Sequence, residues 1–185
     1  MRKRYFVIAL LAATLCGCGT ENADIHEKIH SKFYTMPSYS AECEAVIKSN
    51  KNENTYNFTC DYDSTTKTYE IIYPNTTVTL CGDKARISKG NSINEMSASD
   101  SDMLILADTF FESYYESENT SMTMSAFAGE SSGTTTLECE LTKPTEYGKT
   151  MKMTIQNKKI VPLELSTYDA DGNERIKVIF KSFET

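Results

Sequence analysis

The chain has no tryptophan, and its only two histidines, His26 and His30, lie within one short segment near the start. A Ser-His-Asp or Cys-His site therefore finds no imidazole beyond residue 30. No Gly-rich phosphate loop is present, and no two cysteines stand in C-x-x-C spacing, so neither a nucleotide-cradling turn nor a zinc knuckle or redox dithiol is written into the sequence. Positive charge is scarce: 19 Lys+Arg face 26 Asp+Glu, a net charge of −7. No basic patch follows from this balance, which argues against nucleic acid and against adsorption to anionic lipid by charge alone.

What is present begins with a secretory signal. Arg2, Lys3 and Arg4 are followed by an apolar stretch from Tyr5 to Leu15 and by the box Leu15-Cys16-Gly17-Cys18. Leu15 at −3 and Gly17 at −1 favour cleavage before Cys18, whereas cleavage before Cys16 would place Leu15 where a small residue is needed. Residues 1–17 are thus expected to leave as a lipoprotein signal peptide, and Cys18 to carry lipid. Two or three acyl chains, at roughly 0.8 kcal/mol per buried CH₂, make a stable anchor where one is marginal. The apolar run is too short to span about 30 Å of hydrocarbon as a helix. Loss of the first three basic residues leaves 16 Lys+Arg against 26 Asp+Glu, so lipid and not charge would hold the protein to its membrane.

Residues 18–37 read as a lipidated tether with a short helix, because Ile25, Ile29 and Phe33 recur every four residues before Pro37. Residues 38–185 read as one domain. From Tyr39 the period becomes two: Tyr39, Ala41, Cys43, Ala45 and Ile47 share a face. The turn Asn50-Lys51-Asn52-Glu53 then leads to Tyr56, Phe58, Cys60 and Tyr62. Strands are expected at about 67–73, 77–81 and 84–88, then a polar loop at 89–99. A helix capped by Ser99 or Asp100 would run to about Tyr115, with Met103, Ala107, Phe110 and Tyr114 in one stripe. Four or five strands follow, at about 122–128, 134–141, 150–156, 160–166 and 174–183. The last two join across Asp169-Ala170-Asp171-Gly172-Asn173. The expected fold is α+β: about ten antiparallel strands in a strongly curved half-barrel wrapped around one or two helices.

Three clusters suggest chemistry. His26-Glu27-Lys28-Ile29-His30 matches H-E-x-x-H, but His26 follows the anchor by only eight residues and no sheet precedes it. The segment therefore reads as a docking helix, with no metal centre expected beyond incidental zinc. Asp169, Asp171 and Asn173 resemble the start of a calcium loop, yet Glu174 stands at position six and Phe180 at position twelve, so a hairpin turn is expected. Cys43 and Cys60 fall opposite each other across the expected turn and can form a cross-strand disulfide; the alternative is two reduced, buried thiols. Cys139 is in phase with Leu137 and Leu141 and belongs in the core, whereas the side of Cys81 is open. No catalytic residue and no cofactor emerge, which points to binding or regulation.

The layout resembles the LolA/LolB-like lipoprotein carriers and, more closely, the GerS-like germination lipoproteins of clostridial spore formers. The likeness rests on the Cys18 box, Tyr39-Ser40-Ala41 with Val46 to Lys51, Leu104 to Phe111 with Tyr114, and the tail from Pro162 through Gly172 to Phe183. The resemblance implies a non-catalytic partner of a zinc-dependent cortex N-acetylmuramoyl-L-alanine amidase of the CwlD type. It also implies a strand-exchanged homodimer and a place on the forespore membrane facing the cortex. Two other readings belong to the same fold: a carrier or acceptor that holds lipid on the concave face, and an envelope sensor. Tyr69, Tyr73, Tyr114 and Tyr115 are candidate partner anchors by residue type.

Overall fold

Alternating apolar residues become strands wherever one face can be buried. In the computed structural model, which describes residues 18–82, 84–97, 106–125, 133–142, 144 and 148–185, eleven strands form one sheet. The elements are α1 (Cys18–Phe33), β1 (Tyr39–Lys48), β2 (Glu53–Asp63), β3 (Thr68–Tyr73), β4 (Thr76–Cys81), β5 (Lys84–Lys89) and β6 (Ser92–Ser97). They continue with α2 (Ala107–Glu116), β7 (Thr120–Ser125), β8 (Thr134–Glu140), β9 (Thr150–Gln156), β10 (Val161–Tyr168) and β11 (Glu174–Glu184). The expected signal peptide at 1–17, the caps Ser99 and Asp100, the stripe residues Met103 and Leu104, and residues 126–128 lie outside the described residues.

The strand order is β6-β5-β4-β3-β2-β1-β11-β10-β9-β8-β7, antiparallel throughout. It consists of two meanders joined where β1 pairs with β11. β6 and β7 end the sheet without pairing to each other, so it stays open. In sequence, α2 joins these two outermost strands. The half-barrel expectation holds, with eleven strands.

The inner face carries the core: Ala41, Cys43, Phe58, Cys60 and Ile71 from one meander, Leu137, Met151, Met153, Ile155, Leu165 and Val178 from the other. The helices add Ile29 and Phe33 from α1, and Ala107, Phe110, Phe111 and Tyr114 from α2. Phe33 stacks on Phe111 with centroids 4.3 Å apart. α2 lies against β8. Outer-face positions carry cross-strand ion pairs: Lys48–Glu174 at 2.6 Å, Lys181–Glu44 at 2.9 Å, Lys177–Glu164 at 2.9 Å and Lys152–Glu138 at 3.2 Å. Such half-exposed pairs favour register more than stability.

Three sequence expectations are corrected. The polar stretch at 89–99 contains a strand, β6, every residue of which is exposed. α2 starts at Ala107, because Leu106 is extended with φ −113° and ψ −179°. The β1–β2 turn is Ser49–Asn52, one residue earlier than expected, closed by the pair Lys48–Glu53. Ser49 sets it: its backbone N–H donates to Asn52 O at 2.8 Å, and its Oγ accepts from Asn52 N at 3.0 Å.

Candidate binding groove on the inner face

The turn shift decides the cysteines. Sliding a turn by one residue moves every cross-strand partner by two, so faces are kept and pairs are changed. Cys43 faces Phe58, and Cys60 faces Ala41. The two thiols are diagonal neighbours and both are free, not the directly opposed pair that the sequence suggested. Burial pushes the thiols of Cys43, Cys60 and Cys139 up to about 12, which removes them as nucleophiles at neutral pH. Cys139 is buried as expected, and Cys81 is exposed.

The helices do not occupy the whole inner face. Towards β6, a groove of about 870 Å³ opens over β1 to β6. Its apolar floor follows from register: Ala45 pairs with Tyr56, Val78 with Ile87, and Ala85 with Met96, each one an inward position. Ile47 and Tyr73 extend the floor, while Asn57, Asn75 and Lys89 bring polar groups to it. Burial raises the Tyr73 phenol above its ordinary value, so the hydroxyl stays a neutral donor there. Tyr56 and Met96 are the exposed apolar side chains of this groove, at 44% and 40%.

The aromatic anchors read from residue type fare unevenly. Tyr69 and Tyr73 are half-buried on the inner face, Tyr114 is buried in the core, and Tyr115 packs against it. Among the described residues, the exposed tyrosines are instead Tyr34 and Tyr56. The inward phase of Tyr56 was visible in the sequence; its position beside an open groove was not. His26 and His30 sit on the exposed side of α1. Among the described residues, no group of three or more His, Cys, Asp or Glu is placed to hold a metal, and no helix is long and apolar enough to cross a membrane.

One half-buried acid stands apart from the groove. Asp108, in the first turn of α2, has an Oδ1 with no hydrogen-bond partner, and burial pushes its carboxyl up to about 6. Asp169 behaves oppositely: backbone N–H groups of Asn173 and Asp171, with the side chains of Asn173 and Arg175, pull it down to about 2. That web is a hairpin turn held by its own first residue, as the sequence indicated, with Gly172 at φ 80°.

The chain is an open antiparallel half-barrel with helices on part of its inner face and an apolar groove on the rest. The chain belongs to the family described as Sporulation protein YdcC-like, whose model matches residues 2–185. Among solved structures, an uncharacterized conserved protein from Thermus thermophilus is similar at 7% identity and TM-score 0.50, over 89% of this chain and 86% of that one. A LolA superfamily protein from Nitrosomonas europaea is similar at 10% identity and TM-score 0.47, over 88% and 92%. A chain in the structure of the CwlD amidase from Clostridioides difficile in complex with the GerS lipoprotein is similar at 19% identity and TM-score 0.48, over 88% and 95%. At 7% identity, the Thermus likeness is one of fold alone. No curated protein matches the chain.

Proposed function

We propose that this protein is an extracytoplasmic sporulation lipoprotein, anchored through lipid on Cys18, that binds and activates a CwlD-type cortex amidase without catalysing a reaction itself. The family match over residues 2–185 carries the sporulation role. The lipoprotein box supports the anchor, and the sequence resemblance to GerS-like proteins supplies the class of partner. β6 and β7, which are the edge strands among the described residues, offer backbone N–H and C=O groups to an incoming strand, and the same edges suit a strand-exchanged homodimer. The test is peptide release from peptidoglycan by the source organism's own zinc-loaded amidase, with and without residues 19–185. Activity that appears with the domain and saturates at a fixed ratio supports the reading. A folded, zinc-loaded amidase that is indifferent to the domain at every ratio removes it.

The groove favours a second reading, lipid holding on the inner face. Its volume of about 870 Å³ and its floor of Ala45, Ile47, Val78, Ile87 and Met96 suit an acyl chain, and Lys89 suits an anionic headgroup. Native mass spectrometry of the purified domain separates the two readings. Stoichiometric phospholipid puts the carrier first; a lipid-free domain leaves the activator in place.

A further inference from the structure

The H-E-x-x-H segment is left unused by the proposed function, and its geometry is specific. His26 and His30 are four residues apart on α1, which sets both rings on one side of the helix. Both are exposed, their centroids are 6.4 Å apart, and their planes differ by 30°. Neither imidazole has a hydrogen bond or ion pair. The nearby acid Asp24 is already paired with Lys28 at 2.6 Å. His30 is steadied by Tyr34 at 4.5 Å and by Tyr115, edge-on, at 5.2 Å. His26 touches no other ring and is free to swing towards it.

We propose that His26 and His30 form a two-imidazole site for one borderline divalent transition-metal ion, Cu²⁺, Ni²⁺ or Zn²⁺. Imidazole nitrogen suits these three ions, with bonds of about 2.0–2.1 Å for zinc. One ring held by packing and one ring free to rotate can close on an ion with only an exposed rotamer change. The remaining coordination positions go to water or to a donor from a docked molecule. The motif thus contributes two ligands on an exposed helix and not a hydrolytic centre, consistent with the lack of a third ligand among the described residues.

The test is isothermal titration of the mature, detergent-solubilised lipoprotein, carrying no polyhistidine tag, with each metal chloride in turn. The Cu²⁺ d–d absorption band is followed in parallel. One ion per chain is expected. His26→Ala and His30→Ala should each weaken binding by at least the 10–100-fold that loss of a mere outer-shell partner costs. Glu27→Gln and Cys81→Ser should bind as the parent does. His26→Ala is the deciding variant, because His26 contacts no ring besides His30 and its loss leaves the packing of α1 intact. Absence of saturable binding, or a His26→Ala protein that binds and absorbs like the parent, overturns the proposal.

Discussion

Arg175 Nε donates to Asp169 Oδ2 at 2.6 Å while Arg175 Nη1 donates to Asn50 Oδ1 at 2.7 Å, so one guanidinium ties the β10–β11 turn to the β1–β2 turn. The two turns are distant in sequence and adjacent because β1 pairs with β11. Asp169 is nearly buried, and it depends on Arg175 and on the backbone of its own turn to hold its charge.

This pair predicts a specific acid response. The folded carboxyl titrates near 2, below its ordinary value of 3.8, so the ionised form favours folding. Its contribution is complete above about pH 4 and is lost as the pH falls towards 2. Asp169→Asn should lower the melting temperature at pH 7, and the gap to the parent should narrow below pH 4. Circular dichroism melts from pH 2 to pH 7 read this directly. A gap that stays constant across the range would assign the effect to geometry and not to charge.

Asp108 predicts the reverse sign. Burial holds its carboxyl near 6, and Glu112 on the same helix adds to the effect, so the folded state prefers the protonated acid. The destabilisation sets in as the pH rises from about 4 to 6 and is complete above that. Asp108→Asn should therefore be more stable than the parent at pH 7.5, on the order of 3 kcal/mol, and equal to it near pH 4. Urea titrations at the two pH values check it, and an Asn variant that is less stable at pH 7.5 would contradict it.

These signs could not be taken from the sequence, although much of the fold could. The alternation in Tyr39–Ile47 and the inward residues Phe58, Cys60 and Tyr62 were legible because one face of each strand is buried, and a one-residue slip would expose the whole set. β6 was illegible for the same reason inverted. Its Ile93 and Met96 lie on opposite faces of an edge strand with every residue exposed, so no period appears. The Cys43–Cys60 pairing depended on where one polar turn begins, and Ser49 as a capping side chain moved it by a single position. The groove depends on which half of the sheet the helices cover, a long-range outcome that no local pattern of Val78 or Ile87 encodes.

Thiol reactivity tests the corrected register. In folded residues 19–185, Cys81 is exposed while Cys43, Cys60 and Cys139 are buried with thiols pushed up to about 12. Ellman's reagent should modify one cysteine rapidly in native protein and all four after unfolding without reductant. Two fewer thiols after unfolding would establish the cross-strand bridge and require β1 to pair with β2 in a different register.

Among its described side chains, α1 has a polar outer side and buries only Ile29 and Phe33 fully, with Ile25 half-buried. Its docking therefore rests on few side chains, chiefly Phe33, stacked on Phe111 at 4.3 Å and edge-on to Phe183 at 6.3 Å. Phe33→Ala removes a fully buried ring and should cost about 3–5 kcal/mol, a large share of the 5–15 kcal/mol typical of a single domain. The urea midpoint should fall with the m-value unchanged if α1 unfolds together with the sheet. A lower m-value with an early, separate loss of helix signal would show instead that α1 detaches first. The proposed anchor at Cys18 would then connect to the sheet through a segment that opens before the domain does.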